Sequence, residues 1–162
     1  MKIPEKLIRL LEESGVAYER MPHSEAFTAQ ELAEAEHVKG RKHAKVVVVK
    51  SGGELMMAVL PTDRLLDLEK FEAETGKAAE LASEGEFRSQ FPDCELGAIP
   101  PFGMLYGLPT YVDANLTEEE SIVFEAGTRT DAIRISFRNY ERLAKPTMVA
   151  DIGVKLHPMK AA

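Results

Sequence analysis

Two β-rich runs flanking Ser51-Gly52-Gly53 constrain this chain more than any other feature. The first, residues 44–50, contains Val46-Val47-Val48-Val49; the second covers residues 54–60. β-Branched side chains fit a pleated strand, and consecutive glycines supply the positive φ that a tight hairpin demands. The four valines of the first run are apolar without a break, which predicts a central strand covered on both faces.

The remaining punctuation alternates helix and strand signals. Pro4 suits the first turn of a helix carrying Leu7, Ile8, Leu10 and Leu11 on one face, with Gly15 as its stop. Residues 16–20 read as a short strand. Thr28 and Glu31 form a capping-box pattern for a helix to about residue 36, and Ser83 with Glu86 repeats it for a helix to about residue 90. Residues 67–75 read as a helix stopped by Gly76, and 80–82 as a short strand. Further strands are expected at 104–106, 110–113, 121–125 and 132–136, the last two joined through Gly127 and Thr128. A final helix runs from Phe137 to before Pro146, and the tail from Thr147 is less patterned. This mixture lacks strict βαβ alternation and includes an antiparallel pair. It predicts a single α+β domain over residues 1–162, with a mixed, mostly antiparallel β-sheet surrounded by helices and a core at about 20–145.

Composition narrows the function classes. A chain of 162 residues, 44% hydrophobic and 29% charged, is of the size and balance of one soluble domain. A net charge of −7 argues against broad nonspecific nucleic-acid binding but leaves room for a local basic patch. A lone cysteine, Cys94, makes no internal disulfide, and no apolar run approaches a membrane span or a signal peptide. A cytoplasmic protein without membrane association is the simplest expectation. Walker A, Rossmann and Gly-x-Ser-x-Gly patterns are missing. His23, His37, His43 and His157 lack zinc spacing, so neither metal nor cofactor is expected. Cys94 reads first as a small buried apolar residue, with a nucleophile as the alternative.

Two segments carry binding chemistry. Gly97-Ala98-Ile99-Pro100-Pro101-Phe102-Gly103 combines stiff prolines with glycines whose main chain another molecule can approach closely. It suits either a backbone ligand site or a rigid connection. Residues 37–45 hold Lys39, Arg41, Lys42 and Lys45 with His37 and His43 and no acid, a local reversal of the chain's overall sign. Lys45 stands at the mouth of the valine run, where it fits either a phosphate or plain solvation of a strand end. His43, two residues earlier, falls on the same strand face.

Together, and in this order, these features resemble the YbaK family, which includes the editing domain of bacterial prolyl-tRNA synthetases and its free-standing relatives. The resemblance rests on Phe27-Thr28-Ala29-Gln30-Glu31, on Lys45 before the valines, on the Gly-x-x-x-Pro loop from Gly97 to Pro101, on Tyr111-Val112-Asp113 and on Ala132-Ile133-Arg134-Ile135. It implies a mixed sheet with helices packed around it. It also implies hydrolysis of the ester between a wrong amino acid and the terminal adenosine of a tRNA. Water would be positioned by backbone donors and assisted by the substrate's 2′-hydroxyl, with no side-chain nucleophile.

On that reading Lys45 and Gly97 are the catalytic positions. Lys45 holds the terminal phosphate or ribose, and Lys39, Arg41 and Lys42 steer the acceptor stem. Phe27, Thr28, His43, Pro100, Pro101, Phe102, Asp113, Glu125, Gly127 and Thr128 are the expected substrate contacts, with Met57 and Tyr106 as further lining or core. Asp113 would orient the α-ammonium or serve a turn. Gly127 and Thr128 would shape the pocket or form a plain hairpin turn. In relatives that act on alanyl-tRNA(Pro) a histidine follows a phenylalanine before this turn; here Glu125 follows Phe124. That departure opens the pocket to serine, threonine, cysteine or 2-aminobutyrate. The implied partners are aminoacyl-tRNA, foremost tRNA(Pro), and prolyl-tRNA synthetase. The alternatives are a non-catalytic module of the same fold that binds tRNA or a synthetase, and a hydrolase or binder of a free small metabolite.

Overall fold

A computed structural model describes residues 1–24 and 40–156. The elements are α1 (Glu5–Ser14), β1 (Tyr18–Pro22), β2 (His43–Ser51), β3 (Glu54–Pro61), β4 (Arg64–Leu66), α2 (Leu68–Thr75), β5 (Glu80–Leu81) and α3 (Glu84–Phe87). They continue with β6 (Thr110–Asp113), β7 (Ser121–Thr128), β8 (Asp131–Ser136), α4 (Phe137–Ala144), β9 (Met148–Ala150) and β10 (Gly153–Lys155). Short 3₁₀ turns occupy Arg88–Gln90, Gly103–Tyr106 and Ala114–Glu118.

Among the described residues one eight-stranded sheet runs β1-β8-β7-β2-β3-β6-β9, with β5 joining β2, and β4 and β10 form a small second sheet. The pairs β1–β8, β7–β8, β2–β3 and β2–β5 are antiparallel; β2–β7, β3–β6 and β6–β9 are parallel. This is the expected mixed α+β sheet. The hairpin closes as anticipated, Ser51 opposite Glu54, with Gly52 and Gly53 both at positive φ.

Strand alternation gives the sheet two different faces. One carries Ala44, Val46, Val48, Phe124 and Ile133 and packs beneath Leu7 and Leu11 of α1, Tyr140 of α4, and Phe102. Rings of Phe102, Phe124 and Tyr140 meet edge to face at 5.4 and 5.2 Å, a geometry that adds to their burial. The other face is covered at one end by Phe71 of α2, edge-on to Tyr111 at 5.1 Å, and by Ile152. His43, Lys45, Val123 and Glu125 lie on this second face.

Several expectations need correction. Residues 104–106 are a 3₁₀ turn, because Leu108 N–H closes onto the Gly103 carbonyl at 2.9 Å and Gly107 turns left-handed at φ 75°. Gly103 admits this closure: a Cβ there would lie 2.3 Å from Thr110 Oγ1. Gly127 and Thr128 are not the hairpin turn. Glu125 faces Ala132 and Thr128 faces Asp131, so Ala126 and Gly127 bulge from β7 and the turn falls on Arg129 and Thr130. The first strand begins at Tyr18 rather than residue 16, and the unpatterned tail supplies β9 and β10. Burial of β2 on both faces holds for Val48 and Val49, whereas Lys45, Val46 and Val47 are only half-buried. The expected helix at 28–36, with Phe27, Thr28 and Lys39, lies outside the described residues.

Candidate functional site

A split in the sheet organises the site. β7 pairs with β2 only at His43–Val123 and Ala44–Phe124, and β5 takes up the same edge of β2 from Val49. Lys45 and Val46 lie between, on an edge where no described strand pairs. Beyond Ala44 and Phe124 the two parallel strands no longer pair, and Lys45 is the first residue of β2 past that point.

The loop from residue 97 to 103 is fastened to the end of β7. Glu95 N–H donates to the Gly127 carbonyl at 2.8 Å, and Gly127 N–H donates to the Ala98 carbonyl at 2.7 Å. The hairpin tip adds Arg129 N–H to Glu95 Oε2 at 2.8 Å and the Arg129 guanidinium to the Leu96 carbonyl at 3.0 Å. The bulge makes these bonds possible. Gly127 sits at φ 89°, and a Cβ there would lie 2.4 Å from Pro4. On the far side Tyr140 Oη donates to the Pro101 carbonyl at 2.6 Å, with the phenol fully buried and its ionisation pushed far up by desolvation. Gly97, at φ 86°, is exposed at the tip with open space where a Cβ would stand. Among the described residues neither Gly97 N–H nor Ile99 N–H has an acceptor. A loop held from both ends with spare donors needs little reorganisation to bind an oxygen.

On the second face of the sheet, Glu125 lies between two histidines. His23 Nε2 is 3.2 Å from Glu125 Oε2, and His43 Nε2 is 3.6 Å from Oε1. Parallel register brings His43 and Glu125 onto one face of neighbouring strands, and antiparallel pairing of β1 with β8 carries His23 in from the chain end beyond β1. His23 is anchored there by its own N–H to the Thr130 carbonyl at 2.9 Å. Glu125 and His43 are both buried. Among the described residues no three His, Cys, Asp or Glu side chains gather as ligands of one metal ion.

Lys45 shares the face of His43 and is half-buried; burial lowers its pKa from the ordinary lysine value, and Asp63 opposes that shift. Asp63 follows β3 in the turn into β4 and is a residue that sequence reasoning missed. His23 was missed as a site residue too, since 102 positions separate it from Glu125 and no local pattern joins them.

Other expected contacts sit elsewhere. Phe102 is fully enclosed by the core rings, as are Met57 and Tyr106 among their apolar neighbours, so none presents its side chain to a ligand. Asp113 is fully buried, accepting from Asn115 Nδ2 at 3.2 Å and from Ile152 N–H at 3.4 Å. Its carboxylate fastens the tail to β6 rather than facing the loop. Pro100 and Pro101 are buried supports of the loop. Thr128 Oγ1 donates to Asp131 Oδ2 at 2.6 Å and closes the hairpin. Arg41 is exposed and pairs with Glu119 at 3.2 Å; Lys42 is half-buried, and its carbonyl accepts from Val123 N–H. The Cys94 thiol is buried against Tyr106 Oη at 3.1 Å and pushed up to about 11, chiefly by desolvation. A thiol so protonated is a poor nucleophile.

Residues 23–143 match the model of the aminoacyl-tRNA editing domain. The chain belongs to that family. Among solved structures it resembles hypothetical protein APE2540 at 20% identity and TM-score 0.84, covering 93% of this chain and 100% of the other. It also resembles a protein described provisionally as a trans-editing enzyme for prolyl tRNA synthetase, at 24% identity and TM-score 0.77, covering 94% of this chain and 96% of that one. These likenesses bear on the fold. Among curated proteins none matches. No helix among the described residues of this editing-domain chain is long and apolar enough to cross a membrane.

Proposed function

We propose that this editing-domain protein hydrolyses the ester of mischarged aminoacyl-tRNA in trans, with tRNA(Pro) as the first candidate and prolyl-tRNA synthetase as the enzyme whose errors it clears. The observation that carries the reading is the 97–103 loop with its spare Gly97 and Ile99 donors, pinned to the end of β7, the strand that stops pairing with β2 just before Lys45. Family membership and the likeness to a protein described as serving prolyl tRNA synthetase support it.

In this mechanism Lys45 holds the terminal phosphate or ribose as a point charge. Lys39, Arg41 and Lys42 add a basic approach for the acceptor stem. Loop N–H groups receive the carbonyl oxygen as negative charge develops on it. Water adds to the carbonyl carbon, the bond to the ribose oxygen breaks, and that oxygen leaves with a proton, assisted by the neighbouring hydroxyl. The ester is already activated, so positioning and oxyanion stabilisation suffice.

The test is deacylation of tRNA(Pro) charged with alanine, serine, cysteine, threonine, 2-aminobutyrate or proline, with a Lys45→Ala control. Loss of a non-cognate ester but not of prolyl-tRNA, absent in the variant, establishes the activity. Binding of tRNA without turnover of any ester replaces it with a non-catalytic module.

A further inference from the structure

We propose that Arg64 and Lys155 form a second phosphate-binding site, which takes the internucleotide phosphate just upstream of the linkage held at Lys45. The ligand is the single-stranded 3′ end of the tRNA. The proposal rests on the editing reading above and extends its RNA contact to the small second sheet.

Strand register brings the two cations together. β4 and β10 pair antiparallel, with Leu66 opposite Gly153, Leu65 opposite Val154 and Arg64 opposite Lys155. Directly opposed side chains share one face, with Cβ atoms about 4.5–5.5 Å apart. Alternation then gives the small sheet two faces. Leu65 and Val154 lie on the outer one and are 51% and 38% exposed. Arg64 and Lys155 lie on the inner one with Leu66 and Gly153. That face is turned toward the main sheet, because a Cβ at Gly153 would stand 3.0 Å from Leu60 Cδ2. Leu60 is the residue of β3 directly opposite Lys45. The Arg64–Lys155 pair and Lys45 are thus on the same side of β3. Two backbone bonds hold the connecting turn in place. Thr62 N–H donates to the His43 carbonyl at 2.8 Å, and Leu156 N–H to the Asp63 carbonyl at 3.0 Å.

Charge makes the pair a site. Like charges directly opposite each other in a sheet repel. Among the described residues neither side chain has an ion pair or hydrogen bond that relieves this. Lys155 is exposed and Arg64 half-buried. Neighbouring carboxylates are committed elsewhere: Asp67 caps α2, and Asp151 pairs with Lys70 at 3.1 Å. Asp63 remains, and it also acts on Lys45, whose burial shift it opposes. That one carboxylate faces Lys45, Arg64 and Lys155, so the strip is positive although the chain as a whole carries −7. A guanidinium takes two phosphate oxygens in its plane, and an ammonium adds a point charge. An RNA strand fixed at Lys45 by its terminal linkage carries its next phosphate one nucleotide away, and the small sheet offers unpaired cations on that side. Arg41, by contrast, is already paired with Glu119.

The test uses the full chain and two RNA fragments, CpA with one linkage and CpCpA with two. Affinities are measured by NMR titration at about 50 and 200 mM salt. The wild type is expected to bind CpCpA about threefold or more tighter than CpA, with a steeper salt dependence. The salt slope separates a phosphate contact from a base contact. Arg64→Gln combined with Lys155→Gln removes both cations, brings the ratio to about one and leaves CpA affinity unchanged. The wild-type ratio and slopes stand if that variant fails to fold. Equal affinities or equal slopes in the wild type overturn the proposal. So does a ratio that survives the double substitution, or a variant that weakens CpA and CpCpA alike. Unchanged RNA affinity with loss of synthetase binding would assign the face to an acidic protein instead. Failure of both fragments to bind overturns the proposal as well, whereas the editing reading stands or falls separately on ester turnover.

Discussion

The Gly127 amide donates to the Ala98 carbonyl at 2.7 Å, and through this bond the bulge of β7 sets the position of the 97–103 loop. The same residue leaves room for Pro4 at the start of α1. One glycine thus joins the helix layer, the sheet and the loop.

Gly127→Ala is therefore expected to destabilise the fold. A Cβ 2.4 Å from Pro4, on a backbone at φ 89°, has no cheap relief. The expected loss is about 2–4 kcal/mol. Urea unfolding followed by circular dichroism measures it, and an unchanged midpoint would contradict the role assigned to the bulge.

Gly97→Ala separates conformation from space. Nothing stands within 4 Å of the added Cβ, so only the φ of 86° is strained, at about 1–2 kcal/mol. The protein stays folded while deacylation falls about tenfold or more, because the spare donors move. A folded and fully active variant would reduce the loop to a connection.

Lys45→Ala is expected to lower deacylation by about 100-fold or more with the thermal midpoint little changed. Burial lowers the Lys45 pKa, so the cation is lost on the alkaline side below the ordinary 10.5. Activity that needs the cation then declines in the same window, after subtraction of spontaneous ester hydrolysis. Lys45→Arg keeps its charge to higher pH. Rates measured across pH 7–10 decide the point: coincident alkaline limbs for the two proteins would remove Lys45 from the reaction.

Asp113→Ala should harm stability and spare chemistry. It strips Ile152 N–H and Asn115 of their shared acceptor, at about 1–3 kcal/mol. Per folded molecule the deacylation rate stays near the wild-type value. A selective rise in KM without loss of stability would instead return Asp113 to the α-ammonium.

Alkylation tests the thiol. With its pKa at about 11, only about one Cys94 in a thousand is thiolate at pH 8. Iodoacetamide at that pH, and Cys94→Ala, should leave deacylation intact. Rapid inactivation would make Cys94 part of the chemistry.

The amino-acid sequence alone settled what is local. The 44–60 hairpin, the Ser83–Glu86 capping box and the stops at Gly15 and Gly76 each depend on residues within one turn or one strand pair, and each stands in the structure. The Gly-x-x-x-Pro loop and Lys45 were legible for the same reason. Tertiary structure alone decided that Met104-Leu105-Tyr106 turns rather than extends, because Gly103 packs against Thr110 and Leu108. It also decided that Phe102 is core, that Asp113 anchors the tail and that His23 meets Glu125. Those outcomes depend on contacts between segments far apart in the chain. Their geometry is set by strand order and register, which no local spacing of residues encodes.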